Sequence, residues 1–204
     1  MRLASRRAAR AGALLCALLA GGCLGSARPE FFALRSASGP AAGPPLASHP
    51  ELGIAVGPLE LPRYLDRPEL VTQDPSHRLV VPDAHRWGGS LRTDILRVVA
   101  DDLGRLLGTA RVAVYPTEPR FQASYRVLLD IRELQGELGD SVVLLARWTI
   151  ASMADGRALV VEESRFEEAL ASASYEDLVA GESAAFGALS RRIAEVIAGL
   201  PATL

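Results

Sequence analysis

Residues 125–166, YRVLLDIRELQGELGDSVVLLARWTIASMADGRALVVEESRF, decide the fold of this chain. Tyr125, Val127, Leu129 and Ile131 alternate with Arg126, Asp130 and Arg132, the period-two pattern of a strand with one face buried. Val142 to Ile150 repeats the pattern, with Leu144, Ala146 and Trp148 on one face and Arg147 and Thr149 on the other. Ala158 to Phe166 gives a third run. Gly139-Asp140 and Asp155-Gly156 separate the runs, and such steps supply the positive φ that tight hairpins need. The stretch therefore predicts a three-stranded antiparallel meander.

Working outward toward the C-terminus, Ser174 with Asp177 three residues on reads as a helix N-cap. The helix it opens should run to about Ala198, with Leu178, Val179, Phe186, Leu189, Ile193, Val196 and Ile197 as its buried stripe. Toward the N-terminus, Val112 to Tyr115 is a short strand. Before it, Leu91, Ile95, Val98, Val99, Leu103, Leu106 and Leu107 follow helical spacing from Ser90 to a stop at Gly108, opposite Arg92, Asp94, Arg97, Asp101 and Arg105. Leu70 to Gln73 and Arg78 to Val81 read as a small hairpin around Asp74-Pro75-Ser76-His77. Leu52 to Leu61 and Phe31 to Arg35 are strand candidates on either side of residues 36–50, a Pro/Gly-rich loop that cannot bury a core. The expected fold class is α+β: a single two-layer domain, mainly antiparallel sheet, with two amphipathic helices packed on one face.

The first residues carry an address. Arg2, Arg6, Arg7 and Arg10 precede the apolar run Ala11 to Leu19, and Ala20-Gly21-Gly22 leads small residues up to Cys23. This is the pattern of a bacterial lipoprotein signal, with 1–22 removed, Cys23 acylated, and 23–30 a short tether to a domain over 31–204. The apolar run is shorter than the roughly 20 residues a bilayer crossing needs. Leu24, standing where an Asp would favour inner-membrane retention, points to the outer membrane. Cys16 leaves with the leader and Cys23 goes to lipid, so no cysteine remains for a disulfide. The mature chain would hold 18 basic against 24 acidic residues, a net charge of −6. Every basic residue is Arg, and no polybasic block offers a footprint for nucleic acid.

No constellation of catalytic residues emerges. His49, His77 and His85 fall in turn-like or Pro-rich segments. His77 and His85 with Asp74 and Asp83 match no metal-ligand spacing. Asp101-Asp102, Glu162-Glu163 and Glu167-Glu168 are adjacent pairs, which point in different directions on a helix or strand. Without a single Lys, a P-loop is impossible. The expectation is a non-enzyme with no cofactor and no metal. Leu61, Arg63, Tyr64, Leu65 and Arg67, between Pro62 and Pro68 or beside them, and Trp87 with Arg86, are open to two readings: core anchors, or a partner-docking surface built from the residue types that dominate hot spots.

The order Cys23, Phe31-Phe32-Ala33-Leu34, Ile54-Ala55-Val56-Gly57-Pro58-Leu59-Glu60-Leu61-Pro62, Tyr64-Leu65-Asp66-Arg67-Pro68-Glu69-Leu70-Val71 and Trp87-Gly88-Gly89-Ser90-Leu91 resembles the ABC-type transport auxiliary lipoproteins, the PqiC-like family. The resemblance covers nearly the whole mature chain and is most specific from Val56 to Val71. It implies a lipid-anchored periplasmic accessory subunit that works beside an MCE-domain protein and, through it, an ABC permease and ATPase, in moving lipids or other hydrophobic compounds and maintaining the envelope. Membrane contact would run through acyl chains on Cys23, and a homo-oligomer is compatible with a ring-shaped partner. A lipid carrier with its own cavity, or an envelope scaffold, are the competing readings.

Overall fold

The computed structural model describes residues 28–36, 44–118 and 120–201. The leader, Cys23 and residues 37–43 of the Pro/Gly-rich loop lie outside the described residues. In chain order the elements are β1 (Glu30–Phe32), β2 (Ile54–Glu60), β3 (Thr72–Gln73), β4 (Leu79–Val80), β5 (His85–Trp87), α1 (Leu91–Leu107), β6 (Val112–Val114), β7 (Tyr125–Gly136), β8 (Ser141–Ser152), β9 (Ala158–Ala169) and α2 (Tyr175–Ala198).

The meander forms as its alternation dictates: β7 pairs antiparallel with β8, and β8 with β9. Tyr125, Val127, Leu129 and Ile131 of β7, and Val142 to Ile150 at every second position of β8, are buried on one face. At Ile131/Glu133 a bulge shifts the register, after which Leu134 and Gly136 are the inward residues. The extra residue lets one strand run on to Gly136 while its burial parity flips.

The expected α+β class with a mainly antiparallel sheet holds, and the sheet is mixed on the side of β2. Its order is β6-β2-β7-β8-β9, and β2 runs parallel to both neighbours. The edges of β2 are covered by both neighbours, and Ile54, Ala55, Val56 and Gly57 are all buried. At Gly57 the backbone takes φ +117°, a region that L side chains rarely adopt. The register of β2 on β7 shifts at this step, between Val56 and Leu59.

Both helices cover one sheet face, α1 over the β6 and β2 side and α2 over β8 and β9. Ser90 precedes α1, and Gly108 ends it in the left-handed conformation at φ 60°. In α2 the Ser174 side chain accepts the Asp177 amide, as its sequence position predicts. Trp148, Tyr125 and Phe186 are the largest fully buried side chains. The Trp148 indole donates to Ser164 Oγ at 3.1 Å, so its polar edge is satisfied under α2. Glu162 on β9 takes a two-pronged contact from Arg192, at 2.8 and 3.0 Å, which ties the second half of α2 to the sheet edge.

Two elements differ from expectation. Phe31–Arg35 shortens to Glu30–Phe32 and lies outside the main sheet, pairing parallel with β5. Strand β5 itself is three residues long and carries no alternation to read.

Candidate functional site

The residues singled out between Leu61 and Trp87 gather at one end of the domain, beyond the C-terminal end of β2. Pro62, Arg63 and Leu65 shape a tight turn in which Leu65 N–H donates to Pro62 O at 3.0 Å and Asp66 N–H to Arg63 O at 3.3 Å. The turn divides its side chains by polarity. Leu65 is 3% exposed and belongs to the core, Leu61 and Tyr64 are half-buried against it, and Arg63 and Arg67 are exposed. Burial raises the Tyr64 phenol above its ordinary range. Trp87, at the end of β5, is 5% exposed. Leu65 and Trp87 thus hold the segment to the domain from beneath, and the arginines remain outside.

Arg67, with Arg86 and Arg92 beside it, is organised by acids. Glu69 receives Arg67 Nε at 3.0 Å and Arg86 Nη2 at 2.7 Å, and the Arg67 hydrogen bond is the main cause that lowers its carboxyl below the usual range. Arg92, from the first turn of α1, reaches Asp66 at 3.0 Å and also donates to the Leu59 carbonyl. None of these three ion pairs is buried enough to contribute much stability. Their effect is to fix the arginine heads in place.

The same end carries features that the sequence did not display. Strand β1 pairs with β5, and the Glu30 amide donates to Ala84 O at 2.7 Å. The His85 ring stacks on Tyr175 at 3.8 Å, with Phe32 6.1 Å from His85 and 6.5 Å from Tyr175. Burial raises the Tyr175 phenol above its ordinary range. Residues 32, 85 and 175 thereby join β1, β5 and the start of α2. No local pattern announces a cluster so dispersed in the chain.

Asp74 closes the β3–β4 hairpin by accepting the Ser76 amide and hydroxyl, each at 2.9 Å, and the Arg78 amide at 3.1 Å and Nε at 2.8 Å. These bonds, with the Arg78 amide foremost, pull its carboxyl down to about 2. His77 sits at φ 64° in this turn. Among the described residues no group of three or more His, Cys, Asp or Glu is placed to hold a metal ion, and no helix is long and apolar enough to cross a membrane.

Two cavities complete the surface. One, of about 780 Å³, lies at the other end of the domain among Leu52, Tyr125, Met153, Ile197 and Leu200, with Arg111 at its side. The other, of about 760 Å³, runs between residues 31–36 and the outer side of α2.

The sequence pattern of the family described as the ABC-type transport auxiliary lipoprotein component matches residues 32–194. An uncharacterised protein of known crystal structure shares the fold with a TM-score of 0.62 at 18% identity, over 75% of this chain and 99% of its own. A protein from Xanthomonas campestris does so with a TM-score of 0.61 at 14% identity, over 80% of this chain and 92% of its own. A comparison with curated proteins returns no match.

Proposed function

This chain belongs to the family of ABC-type transport auxiliary lipoprotein components, and from that premise we propose that it is the non-catalytic docking subunit of an MCE-type system moving lipids or other hydrophobic compounds. The observation that carries the reading is the extent of the family match: residues 32–194 include the whole sheet and nearly all of α2. In this reading residues 1–22 are removed, Cys23 is acylated in the outer membrane, 23–30 tether the domain, and residues 31–204 contact the MCE protein. Energy coupling belongs to the ATPase, and this chain supports envelope integrity by position.

The docking surface we assign to the turn after β2. Arg63 and Arg67 present charge, Leu61 and Tyr64 supply half-buried apolar ground, and Leu65 with Trp87 support them from the core. The arrangement suits a hot spot, with the exposed Arg67 guanidinium held by Glu69 beside a packed base. Co-purification from mild detergent extracts tests the reading. The intact chain should bring down its MCE protein, and Arg63→Glu with Arg67→Glu should weaken capture at unchanged thermal stability. Failure of the intact chain, with both proteins expressed, overturns the partnership.

Anchoring is tested separately. Cys23→Ser should move the protein from the membrane to the soluble periplasmic fraction, and continued membrane association would show that another element holds it. The cavity beside Tyr125 and Met153 keeps one alternative in view, a domain that carries lipid itself. Native mass spectrometry separates the two readings, because a carrier retains lipid and a docking subunit leaves the domain empty.

A further inference from the structure

From the surface around β1 and the β3–β4 hairpin, we propose that this end of the domain rests on the phospholipid bilayer, with Leu79, Val80 and Phe31 as its contact residues. Phe31 is 65% exposed, Leu79 49% and Val80 41%. Leu79 and Val80 are successive strand residues and point to opposite sides. Exposure of both means that the hairpin stands out from the domain body. Large apolar side chains placed so are poorly suited to water and well suited to the boundary between headgroups and acyl chains.

The three residues share one end. Thr72 pairs with Val80 across the hairpin, the Leu70 amide just before it donates to His85 O at 3.0 Å, and His85 pairs with Glu30, next to Phe31. The hairpin's shape is fixed by the four bonds that Asp74 accepts, and its Arg78 is paired with that same Asp74 at 2.7 Å. The turn can therefore approach headgroups as a neutralised pair.

Chain length selects the occupant. Cys23 precedes Phe31 by eight residues, which span at most about 28 Å fully extended. The inference rests on the acylation of Cys23 proposed above; given it, the bilayer holding the acyl chains must lie within that reach of Phe31. Leu46, Val114, Tyr115, Met153, Leu159 and Val161 are exposed as well, but Leu46 lies by the C-terminal end of α1, Val114 and Tyr115 at the end of edge strand β6, and the others at the far end of β8 or along β9. The apolar side chains nearest the anchor are those that would meet the membrane.

The test uses the full lipidated chain, in which acylation of Cys23 leaves the mature protein no free thiol. Leu79→Cys and Ala154→Cys, the second an exposed position beside the distant cavity, are each labelled with an environment-sensitive fluorophore. The proteins are then reconstituted into phosphatidylethanolamine and phosphatidylglycerol vesicles containing doxyl-labelled lipid. The label at 79 should be quenched roughly twofold or more relative to vesicles without doxyl lipid, with a blue-shifted emission, and the label at 154 should not respond. Because Leu79 is exposed, its replacement should leave folding intact, and Val80→Cys repeats the measurement one residue on. Protein that stays on the vesicles with both labels silent, or both quenched alike, overturns the docked orientation and leaves the anchor standing. Protein with Cys23 intact that fails to stay on the vesicles overturns the anchor and this inference with it.

Discussion

At the scale of single residues, Glu182 departs furthest from what its neighbours require. It lies on α2 one turn from the buried Leu178 and Phe186, is 3% exposed, and its Oε2 has no hydrogen-bond partner. Burial pushes its carboxyl up to about 8 from an ordinary 4.5. The apolar stripe of α2 was legible because Leu178, Phe186, Leu189 and Ile193 keep helical spacing. The acid inside that stripe escaped notice, since spacing identifies the face and not every residue on it. The sign of its effect follows from proton binding: between pH 4.5 and 8 the folded state holds a proton that the unfolded state has lost, so stability falls as pH rises. The full loss, reached above pH 8, is about 5 kcal/mol for a shift of this size. Urea unfolding at pH 5, 7 and 9 should show the parent losing stability steadily and Glu182→Gln lacking that decline. Parallel pH profiles in the two proteins would place the titrating group elsewhere.

At the scale of elements, legibility followed periodicity. Both helices and the three meander strands carry long regular patterns, and their ends were marked by Ser90, Gly108, Ser174 and the two Gly-Asp or Asp-Gly steps. Strand β7 is legible only to Ile131, because the bulge at Ile131/Glu133 flips the buried side and strict alternation stops there. Parallel pairing of β2 with β6 and β7 was not legible, since it joins residues 54–60 to partners at 112–114 and 125–130 through a crossover that no local signal encodes. Gly108 makes the element argument quantitative. At φ 60°, a Cβ there would sit 3.0 Å from both Ala47 O and Ser48 Cα. The left-handed conformation alone costs an L residue about 1–2 kcal/mol, and the crowding adds to it. Gly108→Ala should therefore lower the unfolding free energy by about 2 kcal/mol, seen as a reduced urea midpoint at unchanged slope. Gly89→Ala, where a Cβ meets nothing within 4 Å, is the matched control and should be close to neutral.

At the scale of the whole molecule, the proline-bounded run 61–68 and Trp87, to which the proposed docking surface is assigned, stand out in the sequence by composition alone. Composition left open which of those residues face outward. Burial divides them, with Leu65 and Trp87 inside and Arg63 and Arg67 outside, because the successive i→i+3 turns closed by the Pro62 and Arg63 carbonyls curl the chain so that Leu65 faces the core and the two arginines face solvent. The aromatic group of Phe32, His85 and Tyr175 was illegible for a different reason: its members meet only once β1, β5 and α2 have packed. Charge is the property that belongs to no single element. With 18 basic and 24 acidic residues from Cys23 onward, the processed chain proposed above would be repelled by anionic lipid and by any acidic surface at long range. Membrane association through acyl chains and apolar contacts must then work against electrostatics, and added salt, with a Debye length of about 10 Å at 0.1 M and about 3 Å at 1 M, screens the repulsion. Vesicles rich in phosphatidylglycerol should accordingly hold the lipidated chain as well or better when NaCl rises from about 0.05 to 0.5 M, the opposite of a polybasic anchor, which loses about 1 kcal/mol per basic residue as its attraction is screened. Flotation of the vesicles followed by quantification of bound protein reads this directly. Binding that falls with salt would mean that a local basic surface, centred on the exposed arginines of the 61–67 turn, outweighs the charge of the whole.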